Sequence, residues 1–483
     1  MSKFTICAPD SKLNFIAHPS DIYNMARSTL SYLGQLVVAL AVVAAAALSN
    51  AAADKTLTAE KARALAGDRA AILDLSDITE LSASAANELA RYRGTWAEAT
   101  LNLSGLTALN DHTAAALANS RARRLVLDGL TALSVAQARE LAGFRGDELS
   151  LDGLVSANEA VIIELARFGG DKLSLNAFNG LTTLQAQALA AFGGTQLSLN
   201  GAQLLGDPQA AALSEWDGQL LALSGVRFLS DAQAKSLAAF DGALLDLSGL
   251  EELTAAQALS LAAFGGAELK LDGLSHISYA SAQALSHFRG ARLSLAGMQW
   301  LDRAQMELLF AFRGRHLFLT GLRELGDDRV NSLLTFRGQT LWLSADARIS
   351  DWGWTKLRES GHIGLEFSSL RRLYEAPIRE LALWRRGLSF PQVTSVTDRE
   401  LEMLAGWQGD ALLLDGLTHL TAPQAQRLSA LNCAELGLDD LAALDEETVR
   451  ALAEFPGAQL TATRWNPRAR ALYLQLRYQQ ASR

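Results

Sequence analysis

Leucines recur along this chain in a fixed frame. The frame reads Leu-x-Leu-x-Gly-Leu-x-x-Leu, then a Ser, Thr or Asp, then a stretch rich in Ala, Gln and Leu, then an aromatic-x-Gly. Its first leucine stands at Leu101, Leu125, Leu149, Leu173, Leu197, Leu221, Leu245, Leu269, Leu293, Leu317, Leu341 and Leu365, eleven consecutive steps of 24 residues. A step of 23 reaches Leu388, and steps of 24 resume at Leu412, Leu436 and Leu460. An earlier unit begins at Leu73, 28 residues before Leu101. A fixed period of this size marks a stacked array in which each unit contacts its neighbours and one core runs through all of them.

The unit from Leu125 to Glu148 shows how the frame folds. Leu125 and Leu127 point one way, while Arg124, Val126 and Asp128 point the other, as in a strand. Gly129 ends the strand, and Leu130 and Leu133 enter the core through an irregular turn. Ser134 with Gln137 three residues on has the spacing of a capping box. The same pair recurs at Thr182/Gln185, Ser230/Gln233, Thr254/Gln257, Asp302/Gln305, Thr397/Glu400 and Thr421/Gln424. Ala138, Leu141, Ala142 and Phe144 mark one face of a short helix, and Gly146 ends it. Parallel strands stack at about 4.8 Å. Helices need about 8–10 Å. The helical side must therefore fan outwards, leaving the sheet on the concave face of an arc of about seventeen units.

This pattern resembles the leucine-rich repeat family over roughly residues 54–462, and the Gln-Ala-x-x-Leu and Phe-x-Gly elements look most like bacterial members. The resemblance implies an α/β solenoid with partner binding on the concave sheet. One departure stands out. The family's buried Asn position is apolar here, as at Leu154. The column Asp128, Asp152, Asn176, Asn200, Ser224, Ser248 and Asp272 is expected to bond the turn backbone instead.

The ends break the frame, as solenoid ends do. Residues 54–72 read as an N-terminal capping helix, 73–462 as the solenoid, irregular at 345–387, and 463–483 as a C-terminal capping helix. Trp352, Trp354, His362 and Pro377 fall at unusual places in the irregular stretch. Before the array, an apolar run at 36–48 precedes Ala51-Ala-Ala53. That is the layout of a secretory signal peptide, so 1–53 is expected to be removed, with Met25 the better start. An uncleaved anchor is the competing expectation, since residues 33–53 are long enough to span a bilayer. After cleavage no stable membrane span is expected, and the mature chain would be periplasmic, surface-bound or extracellular.

Composition narrows the function little. The formal charge of −9 argues against a nucleic-acid partner. The two cysteines, Cys7 and Cys433, cannot build a disulfide framework. Cys433 replaces the glycine of an aromatic-x-Gly element and reads as a substituted repeat position. Metalloprotease, nucleophile-elbow and phosphate-loop motifs are absent, and the seven histidines have no metal-ligand spacing, so no cofactor or metal is expected. Phe-Arg-Gly-Asp at 144–147 is what the repeat frame yields with a variable next residue.

The concave positions carry the candidate site. The column between the strand leucines is mostly small, as at Ser150, Ser174, Ser198 and Ser294. Phe318 and Trp342 interrupt it on neighbouring strands and are expected to face solvent, with Glu366 next in the column. Arg292 and His316 flank them one position earlier. Exposed aromatics beside Arg have the composition of a binding hot spot. Phe318, Trp342, Arg292, His316 and Glu366 are therefore the candidate partner-binding residues. The competing expectation is that the stretch bearing Trp352 and Trp354 folds over and buries the aromatics. The function read from this is an exported, non-enzymatic protein that binds a protein or glycan. A structural envelope component and an enzyme with its site in 345–387 are the alternatives.

Overall fold

The computed structural model describes residues 56–481 apart from 69, 71, 95–98, 346, 362, 369, 374–385, 405–406, 442–443, 462–464 and 466. The expected leader at 1–53, His362, Pro377 and Asn466 lie outside the described residues. Among the described residues no helix is long and apolar enough to cross a membrane.

Each regular unit makes a three-residue strand and a helix of seven or eight residues, as at Arg124–Val126 and Val135–Ala142. Most units place a glycine after the strand, where the preceding unit's backbone comes close, though Ala177 and Asp440 occupy the position in others. A Cβ on Gly129 would lie 2.2 Å from the carbonyl oxygen of Ser104 in the preceding unit. The capping boxes form at Ser134, Thr182, Ser230, Thr254, Asp302 and Thr421. Thr397 and Glu400 exchange the same two bonds.

The cap glutamine has a second task. Gln137 Nε2 donates to the Leu109 carbonyl of the unit before, at 2.9 Å. Gln185, Gln233, Gln257, Gln305 and Gln424 donate in the same way, each to a carbonyl 28 residues earlier. This glutamine row satisfies one backbone carbonyl of the preceding unit at each of these steps. The Asp/Asn column works as expected on the other side. Asp152 Oδ1 accepts from the Asn176 backbone N–H at 2.9 Å and from the Ser174 hydroxyl at 2.6 Å. The small hydroxyls of the concave face are thus partly ladder elements.

A second row runs through the core. Phe144, Phe168, Phe192, Trp216, Phe240, Phe264, Phe288 and Phe312 stack with centroids 5.9–6.4 Å apart. A Cβ on Gly170 would stand 2.2 Å from the Phe168 ring, which explains aromatic-x-Gly. Cys433 follows Leu431, not an aromatic, so a side chain fits there. Burial pushes its thiol up to about 12, the setting of an inert cysteine.

Seventeen parallel strands form one sheet in an α/β solenoid, and strand follows strand in chain order from Ile72–Asp74 to Gln459–Thr461. Among the described residues no ladder joins the first strand to the last, so the sheet is an open curl. The curl is tight. From Arg292 the ladder steps through strands containing residues 316, 340, 364, 387 and 411 to Glu435. Six steps in a flat sheet would span about 29 Å. The two side chains instead approach to 3.3 Å.

The frame slips once. Phe318 stands opposite Trp342, but Trp342 stands opposite Gly364, not Glu366. Leu341 pairs with Ile363, and Leu343 with Leu365. The shift is two residues, one full pleat, so the same faces stay inside. The core divides at this point. One cluster ends at Ile363, the next begins at Leu365, and Trp354 packs against both. The helix here, Asp351–Ser360, is ten residues long and ends on Gly361 in the left-handed region.

At the start, Thr58 caps the helix Ala59–Leu65, and Thr56–Leu57 pairs with Glu80–Leu81 in a separate two-stranded sheet. At the other end, the helix Pro467–Ala481 is tied back by Arg477, which donates to the Phe455 carbonyl at 2.7 Å and the Gly457 carbonyl at 3.3 Å.

Candidate functional site

Four of the five sequence candidates meet, but not on an open surface. Trp342 is fully buried, His316 is 1% exposed and Arg292 6%. The expected solvent-facing Trp342 is corrected here, and its cover is not the stretch bearing Trp352 and Trp354. Trp342 lies flat over the next two strands, where its column carries Gly364 and Gly387. A Cβ on either glycine would come within 2.7 Å of the indole. Ala411 and Leu413 close over it, and Phe318 stacks on it at 5.6 Å. Phe318 remains half-buried.

Polar contacts continue from the indole. Trp342 Nε1–H donates to His316 Nδ1 at 3.0 Å. An indole nitrogen can only donate, so Nδ1 holds the lone pair and the imidazole proton sits on Nε2. Nε2–H in turn donates to Glu435 Oε2 at 2.7 Å. Arg292 completes the bridge, reaching Glu435 at 3.3 Å, Asp439 at 2.7 Å and the Thr461 hydroxyl at 2.9 Å. Glu268 lies 3.7 Å and Asp415 3.9 Å from the same guanidinium.

The electrostatics follow from burial and charge balance. Burial opposes the Arg292 charge, but the surrounding Asp439, Asp415, Glu268 and Glu435 hold it well above its usual value. Burial also opposes ionisation of Glu435, yet the His316 hydrogen bond and the Arg292 charge outweigh it and keep the carboxyl below the usual range. Asp415 goes the other way, raised by burial and by Asp439.

Beside this bridge lies a cavity of about 340 Å³ between the two walls of the curl. Glu268, Lys270, Asp272, Arg292, Ser294 and Phe318 line one wall, and Glu366, Ser389, Asp415 and Asp439 the other. Glu366, the fifth candidate, is not stacked after Trp342. The slip sets it opposite Ser344, where it reaches the cavity across from Phe318. Burial pushes its carboxyl up to about 7, with the Thr320 hydroxyl working against the shift and Asp272 adding to it. Among the described residues no group of three or more His, Cys, Asp or Glu could hold a metal ion.

Sequence reading missed Glu268, Asp415, Glu435 and Asp439. Their meeting depends on the tightness of the curl, which a local frame does not carry. Gly364 and Gly387, two side-chain-free positions beside a tryptophan, were the available signal.

No protein-family model matches the chain, and no curated protein is similar to it in sequence. Solved structures show weak likeness. The chain is similar to Rad7 of yeast, in its complex with Elc1, at 15% identity over 74% of this chain and 94% of that one, with a TM-score of 0.37. It is similar to the LRR ectodomain of the receptor kinase GASSHO1/SCHENGEN3 from Arabidopsis thaliana at 15% identity over 84% of this chain, with a TM-score of 0.31. It spans about half, 51%, of that ectodomain. An internalin from Listeria monocytogenes is similar at 13% identity, covering 75% of this chain and 85% of that one, with a TM-score of 0.26. The solenoid reading stands on the ladder of this chain itself.

Proposed function

We propose that this chain is an exported, non-enzymatic solenoid that grips a partner protein on its concave face. The observation that carries the reading is the cavity between the walls. Glu268 and Asp272 on one wall and Glu366 and Asp415 on the other outnumber Lys270 and Arg292 there, and burial holds the Glu366 and Asp415 carboxyls protonated enough to give up a proton to an incoming cation. Arg292 is already committed to the cross-wall bridge. The site left over suits a lysine or arginine side chain of a partner, with half-buried Phe318 as the apolar contact. Binding through exposed charges would weaken with salt.

The test is affinity capture from native envelope extract with wild type and with Asp272→Asn/Glu366→Gln. The reading expects a partner that the double variant loses. Capture unchanged by the variant contradicts it. Export is tested separately, by mass spectrometry of the mature N-terminus. A start at Asp54 or within a few residues supports cleavage, and an intact start at Met1 or Met25 contradicts it. One observation favours the enzymatic alternative. Glu366, within 345–387, holds its carboxyl near neutrality beside Asp272, as general acids do. Turnover of any glycan or peptide substrate abolished by Glu366→Gln would replace the binding reading.

A further inference from the structure

The variable residue of aromatic-x-Gly sits where each helix hands over to the next strand. At Gly169, Gly193, Asp217, Asp241 and Gly265 it is small or acidic. In three consecutive units near the start the residue at this place is arginine: Arg93 and Arg145 within aromatic-x-Gly, and Arg121 in the corresponding Ser120-Arg121-Ala122. All three are exposed, and among the described residues none makes an ion pair or side-chain hydrogen bond.

The three do not face open solvent alone. The curl brings the last units against the first, and a cavity of about 440 Å³ lies at this seam. Arg93, Arg121, Arg123 and Arg145 line it from the first units, and Leu444, Val449 and Leu472 from the last. Two acids also line it, and both are already matched. Asp147 pairs with Arg123 at 2.6 Å, and Glu446 pairs with Arg450. Among the described residues, three guanidiniums thus remain uncompensated in one concavity, on a chain whose net charge is −9.

We propose that this seam is a binding site for a small polyanion, a sugar-sized body bearing two or more phosphate or sulfate groups. Guanidinium forks match the oxygens of these groups and stay charged at any working pH. Neighbouring units repeat at strand spacing of about 4.8 Å, which suits several anionic groups on one ligand better than one. The volume falls within the range of small-ligand pockets, about 300–1,000 Å³. Leu444, Val449 and Leu472 give the ligand body an apolar wall. The ligand would touch the first and last units together. The site is separate from the acidic concave cavity and does not depend on it.

A second arginine row supplies the control. Arg289, Arg313 and Arg337 occupy the same frame position in three later units, and the groove at Arg289 and Arg313 is lined by adjacent units only. The experiment is calorimetry on the full chain at about 150 mM salt, where the Debye length is about 8 Å. The probes are inositol hexakisphosphate, sucrose octasulfate and inorganic phosphate. We expect saturable binding of one or both organic polyanions and none of inorganic phosphate at the same concentration. Arg121→Ser/Arg145→Ser should weaken that binding tenfold or more, and Arg289→Ser/Arg313→Ser less than twofold. Equal losses in the two double variants would mean general charge attraction and overturn the proposal. So would the absence of saturable binding to either organic polyanion, or inorganic phosphate binding as tightly. If the first double variant unfolds, Arg145→Gln alone, with thermal melting as a check, carries the same comparison.

Discussion

The regular run of units from Leu101 to Leu341 and the join at Trp342 use the same residues to opposite ends. In the regular run, concave side chains are mostly short and several bond to the preceding rung, as Ser174 does to Asp152. At the join the frame loses two residues, side chains vanish at Gly364 and Gly387, and the largest side chain lies down over the gap. From there the far wall sends Glu435 and Asp439 back to Arg292. A regular repeat builds a wall, and one slipped pleat lets the wall be stitched to itself.

The stitch is the most sensitive point. Arg292→Ala would leave Glu435 and Asp439 buried without their cation. Breaking a buried ion pair in this way costs about 3–5 kcal/mol, measured by denaturant unfolding. Replacing an exposed regular-run charge such as Arg303, which pairs with Glu307, should cost less than about 1 kcal/mol.

Glycines separate the two regions next. Gly364→Ala would put a Cβ 2.7 Å from the Trp342 ring, which must then shift. Overpacking of this kind costs about 1–3 kcal/mol. At Gly169, where a Cβ meets nothing within 4 Å, the same change should be neutral or slightly stabilising. Equal effects at both sites would mean that the indole does not lie over Gly364.

In the regular run, Gln257→Leu would remove both the cap on Thr254 and the staple to the Leu229 carbonyl. A loss of about 1–2 kcal/mol is expected from melting curves, more than for a cap alone. A loss no larger than that of Thr254→Ala would show that the staple adds nothing.

Much of this was legible in the chain, and the boundary has a physical cause. Strand, glycine, cap and aromatic rows are local, so Leu125, Gly129, Ser134 and Phe144 announce them. The glutamine staple was half legible: the pairing with Ser134 was visible, its reach to Leu109 was not. Register across the join was misjudged because counting from Leu341 to Leu365 assumes which leucines pair. A two-residue slip keeps every apolar residue inside, so hydrophobic pattern cannot expose it. The cross-wall contacts were illegible, because His316 and Glu435 are 119 residues apart and meet only through the curvature of the sheet.

The pH dependence sorts two buried carboxyls. Glu435 is held below its ordinary 4.5 in the folded state, so its stabilisation is complete above about that pH and fades on acidification. Glu366 is raised to about 7, so the folded state holds a proton that the unfolded chain releases near 4.5. Stability should therefore decline as pH rises from 4.5 to 7, and Glu366→Gln should flatten that decline. An unchanged slope in the variant would place the carboxyl in solvent.

The central claim is that the concave face is stitched shut over Trp342. The direct measurement is the unfolding free energy of Trp342→Ser, which matches the small residues of neighbouring units. A buried indole removed from its glycine bed, its Phe318 stack and its His316 bond should cost about 3–5 kcal/mol. A change within about 1 kcal/mol is what an exposed surface residue gives, and that result would contradict the account.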